Sequence, residues 1–203
     1  MQTAFILRAA DAINQAILNS ESVLESLDRE IGDGDHFINM KRGATTIVAM
    51  RDELAPLSAD AALQKIGSKL LSTIGGASGV LLGSFFIAMA KSLKENGSAD
   101  AAFAAGVEAI KSRGKADVGE KTMLDVLIPV SKIFTEQAAA ELGVLLQALK
   151  QAAEQGVLTT RDMIATKGRA AFLGERAIGH LDPGAKSCQI MINAVCDLVR
   201  SES

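Results

Sequence analysis

The sequence predicts an all-α fold: a single domain of about eight helices spanning residues 1–203. Three observations carry this. Apolar residues recur at three- and four-residue spacing through most of the chain, with no β-branched alternation. Only three prolines occur in 203 residues. The breaks between apolar stretches are short and glycine-rich, and none is a Pro-, Gly- or Ser-rich linker that would divide the chain. A chain of this length buries about 70% of its unfolded surface, so its core needs no covalent staples.

The elements follow in order. Residues 3–19 align Phe5/Ile6, Ala9/Ala10, Ile13 and Ala16/Ile17 on one stripe. Ser22-Val-Leu-Glu25 has the pattern of a capping box and predicts the start of a short second helix. Further helices are predicted over 38–52, 59–74, 77–94 and 100–113. Thr122-Met-Leu-Asp125 resembles another capped start, for a helix running past Pro129 towards Ala139, and 142–155 follows. The last helix has Asp182 as N-cap, Pro183 at its first position, and Ile190/Met191, Ala194/Val195 and Leu198/Val199 on one face.

Composition excludes several functions. Net charge is −3, leaving no basic excess to neutralise a nucleic-acid backbone. Two cysteines cannot form a disulfide framework. Cys188 and Cys196 fall on one predicted helix about 12 Å apart, beyond the roughly 7 Å a bridge allows, so both are expected as reduced core residues of a cytoplasmic protein. The N-terminus lacks the basic and apolar regions of a signal peptide. The uncharged run from Leu70 to Ala90 is long enough to span a bilayer. However, Ser72, Thr73, Gly75, Gly76 and Ser78 interrupt it, so a buried soluble segment is expected and no membrane association.

The breaks hold the chemistry. Asp28, Asp33 and Asp35 lie in Leu27-Asp28-Arg29-Glu30-Ile31-Gly32-Asp33-Gly34-Asp35-His36. On a continuous helix Asp28 and Asp33 would point about 140° apart. Gly32 and Gly34 allow a bend that brings them together. Converging carboxylates suit a hard cation such as Mg²⁺, because without one they repel. The EF-hand spacing is not matched. Without a cation the segment reads as a solvated acidic turn with Asp35 capping the next helix. His36 follows directly and has three readings: a phosphate ligand, an acid/base, or a cap.

Ile74-Gly75-Gly76-Ala77-Ser78-Gly79 precedes an apolar helix, and a helix N-terminus with small residues suits a phosphate. It is neither a Walker A loop nor a dinucleotide fingerprint, and the Gly79–Gly83 spacing equally suits close helix packing. Two later loops are polar, 113–123 and 167–185. In them Thr122 reads as an N-cap, Met123 as an apolar cover or a core residue, and Arg169 as a phosphate grip or the partner of Glu175.

Together, GDGDH at 32–36 with Asn39-Met40 behind it, GGASG at 75–79, GEKTMLD at 119–125 and GRAAFLGERAIGHLDPGA at 168–185 resemble the nucleotide-binding subunit L of bacterial dihydroxyacetone kinases. The same domain ends the single-chain, ATP-dependent kinases. The resemblance implies an antiparallel barrel of eight helices with ADP or ATP at one end. It implies two Mg²⁺ ions held by Asp28, Asp33 and Asp35. Phosphates would be held by His36, Phe37, Ile38, Asn39, Ala77 and Ser78. Gly114, Thr122, Met123, Arg169, Asp182, Pro183 and Gly184 would surround the nucleotide.

It also implies phosphoryl transfer from a phosphohistidine donor, subunit M of the phosphotransferase system, to dihydroxyacetone on a separate subunit K. No residue of this chain is singled out as catalytic, and no Ser-His-Asp or Cys-His arrangement is found. The sequence departs from the family pattern at Phe37, usually Gly, at Val80, usually Pro, and at Leu82, more often aromatic. Phe37 is therefore expected to crowd or cover the nucleotide and, with Phe172, to present apolar surface to a partner. These departures leave two other readings: a paralogue acting on another small ketose with ATP, and a regulatory nucleotide-binding module.

Overall fold

A computed structural model describes residues 2–203. Its ten α-helices are α1 (Thr3–Leu18), α2 (Glu21–Ile31), α3 (His36–Ala49), α4 (Arg51–Leu54), α5 (Ala59–Thr73), α6 (Gly76–Asn96), α7 (Ala99–Gly114), α8 (Leu124–Glu136), α9 (Leu142–Thr159) and α10 (Pro183–Ser201). Two 3₁₀ segments, Thr160–Asp162 and Arg169–Ala177, lie between α9 and α10, and no strand occurs among the described residues. Eight helices close a ring in the order α1, α3, α5, α6, α7, α8, α9, α10, with α10 packing back on α1. Neighbours joined by short turns run antiparallel. The fold is thus the expected all-α barrel, with α2 and α4 as additions to the ring.

The wall is apolar on its inner side. Ile6, Ile17, Leu63, Ile66 and Leu70 form one half of the core. Ile110, Leu124, Val126, Leu146 and Cys188 belong to the other. Phe85 meets Phe86 and Phe103 edge to face at centroid distances of 5.3 and 5.5 Å. The ring encloses an apolar cavity of about 510 Å³.

The uncharged run Leu70–Ala90 is divided between α5 and α6 at Ile74 and Gly75. By length and composition α6 could cross a membrane, with 21 residues and an 18-residue window of mean hydropathy 1.4, but here it is a wall of the ring. Small residues set the α5–α6 crossing: a Cβ on Gly67 would lie 2.8 Å from the Gly83 carbonyl oxygen, and one on Gly83 would lie 3.0 Å from that of Gly67. The α8–α9 crossing is similar. Pro129 leaves the Asp125 carbonyl without its helical donor, and a Cβ on Gly156 of α9 would lie 2.4 Å from that oxygen. Both cysteines are buried and free. Burial pushes the Cys188 thiol up to about 12 and that of Cys196 to about 11.

Several boundaries differ from expectation. The Ser22–Glu25 capping box does not form. The Leu24 amide already donates to the Ser20 carbonyl at 3.0 Å, so α2 starts two residues earlier and Ser22 lies inside it. Helix α3 starts at His36 rather than Ile38, because the Asp35 carbonyl accepts the Asn39 amide at 3.0 Å. It ends at Ala49, and Arg51–Leu54 forms the separate α4. Helix α8 stops at Glu136, short of Ala139, and α9 continues to Thr159. The start of α10 is as expected: Asp182 Oδ2 accepts the Ala185 amide at 2.7 Å, and Pro183 opens the helix.

Candidate metal and anion site

Helix α2 delivers Asp28 to one end of the ring, where its side chain is buried. The chain then bends through Gly32 and Gly34 into α3. Gly34 needs its glycine for conformation, with φ +80°. Gly32 needs it for space: its φ is an ordinary −117°, but a Cβ there would lie 1.7 Å from Asp28 Oδ1. In that space Asp28 Oδ2 accepts the His36 backbone amide at 2.9 Å. The bend brings carboxylate oxygens of Asp28, Asp33 and Asp35 all within 4.8 Å of one another.

Three like charges this close call for a counter-charge. One is supplied by Arg169, whose Nε lies 2.8 Å from Asp33 Oδ2. The partner of Arg169 is therefore Asp33 and not Glu175. The donor set fits Mg²⁺: hard carboxylate oxygens, one buried and two exposed, leaving the open side to water or a ligand.

Beside the carboxylates lie two helix N-termini. The first-turn amides of Phe37 and Ile38 have no acceptor within α3, and those of Gly76, Ala77 and Ser78 have none within α6. The two helix starts abut, since a Cβ on Gly75 would lie 3.4 Å from Asn39 Oδ1. Such amides, with the positive ends of two helix dipoles, suit an anion. Phe37 presents only its backbone here. Its side chain is 3% exposed, turned into the core between α2 and α3, with the Lys41 ammonium 5.7 Å from its ring centroid. The expectations that it would cover a nucleotide and face a partner are therefore corrected. Phe172, at 82% exposure, does face solvent.

His36 joins α3 to α10. Its Nε2 lies 3.1 Å from Ser187 Oγ, and burial holds its pKa below the ordinary value, which favours the neutral ring. Ser187 was not evident from sequence, because the pair is 151 residues apart. At the start of α10, a Cβ on Gly184 would lie 3.8 Å from Met123 Cβ, so Met123 and the Asp182–Gly184 turn share one wall. Burial raises Asp182 to about 7.

The N-cap of α8 is Met123, one residue after the expected Thr122, because the Met123 carbonyl accepts the Leu127 amide at 3.0 Å; Thr122 Oγ1 still accepts the Leu124 amide at 3.1 Å. Asp125, read from sequence only as the far end of the expected cap, shapes the whole loop: it accepts the amides of Gly119 at 2.6 Å and Thr122 at 2.7 Å. Gly114 closes α7, and a Cβ on it would lie 3.4 Å from Leu81, one turn beyond Ala77 and Ser78 on α6. Arg169 opens the 3₁₀ segment whose Ala170 and Ala177 pack with Ile31 of α2. The predicted residues thus gather at one end of the ring, where the His36–Ser187 contact joins the start of α3 to the start of α10 and Gly184 adjoins Met123.

A family model described as the DAK2 domain matches residues 30–197. The PEP-dependent dihydroxyacetone kinase ADP-binding subunit DhaL of Escherichia coli (strain K12) is 42% identical over 184 residues, 87% of this chain and 88% of that protein. The ADP-binding subunit DhaL of Listeria innocua dihydroxyacetone kinase 1 is 37% identical over 194 residues, 93% of each chain. Among solved structures, the dihydroxyacetone kinase from C. freundii in complex with AMP-PNP and Mg²⁺ superposes with a TM-score of 0.79 at 27% identity, over 96% of this chain and 34% of that one. The acidic bend, the paired helix starts and the eight-helix ring thus sit in a chain that belongs to the DAK2 domain family.

Proposed function

We propose that this chain is the nucleotide-carrying subunit of a cytoplasmic dihydroxyacetone kinase, holding Mg-ADP as a coenzyme. In this reading a phosphoryl group comes from the phosphohistidine of a subunit M and goes to a hydroxyl of dihydroxyacetone bound on a subunit K. The observation that carries it is the meeting of three carboxylates within 4.8 Å beside two helix N-termini. The names of the similar proteins support it: two are ADP-binding subunits, and the similar solved kinase holds AMP-PNP and Mg²⁺.

Asp28, Asp33 and Asp35 would hold two Mg²⁺ ions, which when bound supply charge neutralisation to the phosphate oxygens. The free amides of Phe37, Ile38, Ala77 and Ser78 donate to those oxygens, and neutral His36 and Asn39 line the same side. Arg169 adds a fixed positive charge at the edge of the carboxylates. Met123, Thr122, Gly114 and the Asp182–Gly184 turn enclose the nucleoside. Phosphoryl transfer depends mostly on positioning and charge, so these groups suffice without a nucleophile on this chain.

The test is reconstitution with subunits K and M and stoichiometric ADP. Dihydroxyacetone phosphate is expected to form catalytically from phosphoenolpyruvate through the phosphohistidine donor. Product formed only from added ATP would overturn the coenzyme reading in favour of an ATP-dependent kinase. Faster turnover of a four-carbon ketose would overturn the substrate.

A further inference from the structure

Lys121 is the largest fully buried side chain of the protein, at 1% exposure, and it sits in none of the roles above. Its backbone is left-handed, with φ +60°. A left-handed non-glycine residue costs of order 1–3 kcal/mol and persists only where the surroundings impose it. A buried ammonium is a second cost unless its protons find acceptors. Two of its three protons do. Nζ donates to the carbonyl of Thr160 and, at 2.6 Å, to that of His180. Asp182, Asp162 and Asp125 add favourable charge at longer range, and none forms an ion pair with it.

The two carbonyls belong to two separate segments, and each leads to the site. Thr160 Oγ1 accepts the backbone amide of Asp182 at 3.0 Å, fixing the start of α10. His180 Nδ1 lies 2.9 Å from Glu30 Oε2 on α2. Gly179 donates to the Arg161 carbonyl at 2.8 Å, tying the same two segments a second time. Lys121 itself stands two residues before Met123. One ammonium therefore spans the 119–123 loop, the end of α9 and the approach to α10. These are the segments that carry Met123 and the Asp182–Gly184 turn. It makes no hydrogen bond to the acidic bend or to the starts of α3 and α6.

We propose that Lys121 is a positioning residue that holds these three segments as one frame for the nucleoside half of the bound nucleotide, leaving the metal and phosphate half to α2, α3 and α6. The proposal rests on the nucleotide-carrying reading above. Its test compares wild type with Lys121→Met, which keeps the length of the side chain and removes the donors. Calorimetric titrations with ADP and with inorganic pyrophosphate are run in saturating Mg²⁺, with circular dichroism to establish folding.

Loss of the frame is expected to raise the Kd for ADP by about tenfold or more, as displaced binding groups do, while the Kd for pyrophosphate stays within about twofold. In the reconstituted kinase the KM for ADP rises by the same factor, and kcat at saturating ADP changes by less than about threefold. A purely structural lysine would lower thermal stability and leave the ratio of the two Kd values unchanged, and that result overturns the proposal. So does an equal loss for both ligands, or a wild type that binds ADP but not pyrophosphate. A wild type that binds no Mg-ADP overturns the nucleotide reading and this inference with it. If Lys121→Met does not fold, Lys121→Gln, which keeps one donor and removes the charge and the second donor to the two carbonyls, is read the same way. A selective threefold or greater weakening for ADP is expected, and none would overturn the proposal.

Discussion

Asp33→Asn is expected to abolish Mg²⁺-dependent nucleotide binding and phosphoryl transfer while leaving the fold intact. Asparagine keeps the shape of the side chain and removes one of the negative charges that converge within 4.8 Å. Affinity at such sites follows the charge and number of ligands. Loss of a supporting residue alone costs about 10–100-fold, so loss of a direct ligand is expected to cost at least about 100-fold in Mg-ADP affinity. The fold has little at stake. The Asp33 side chain is 39% exposed, and its pairing with the still more exposed Arg169 is a surface ion pair, worth about 0–1 kcal/mol. Calorimetry of the variant with ADP and Mg²⁺, beside a thermal melt, checks both parts. Wild-type affinity in Asp33→Asn would remove Asp33 from the site.

The second large effect comes from a residue with no functional group. Gly32→Ala would set a methyl 1.7 Å from Asp28 Oδ1 and 2.8 Å from the Asp28 carbonyl oxygen. The Asp28 carboxylate must rotate away, losing the His36 amide that it accepts at 2.9 Å. A buried carboxylate and a helix-terminal amide would then both lack partners, at about 1–3 kcal/mol each. Gly32→Ala is therefore expected to lose Mg²⁺-dependent ADP binding as fully as Asp28→Ala, and to melt several degrees lower. Gly34→Ala is the control. Nothing lies within 4 Å of a Cβ there, so only the strain at φ +80° remains, about 1–2 kcal/mol. That variant is expected to keep Mg-ADP binding. Equal binding by both variants would mean that the space beside Asp28 does not matter.

Much of this was legible in the sequence, because it is local. The D-x4-D-x-D spacing with two glycines implies a bend whichever residues surround it. Asp182-Pro183 and Thr122-x-x-Asp125 carry their capping chemistry within four positions. What was not legible depends on distant pairs. His36 meets Ser187 across 151 residues, and Lys121 reaches Thr160 and His180 across 39 and 59. The closure of the ring through α1 and α10 joins the two ends of the chain.

Phe37 shows how one boundary alters a site. With α3 starting at Ile38, Phe37 belongs to a loop beside the phosphate side. With the start at His36, Phe37, Met40 and Ala44 fall at i, i+3 and i+7 on one buried stripe, and the ring enters the core. The Phe37 side chain is thus taken up by the core rather than by the site. The capping box at Ser22–Glu25 failed for a related reason: with so short a link from α1, the Ser20 carbonyl already accepts a helical amide.

The nucleotide content of the purified, desalted protein tests the nucleotide-carrying role most directly. The chain contains no Trp and no Tyr, so an adenine absorption band stands clear of its seven Phe. An adenine band at about one nucleotide per chain is expected, identified as ADP by mass spectrometry. It should be released by a chelator and rebound only with Mg²⁺. Absence of the band, together with no Mg²⁺-dependent ADP binding on titration, would contradict that role.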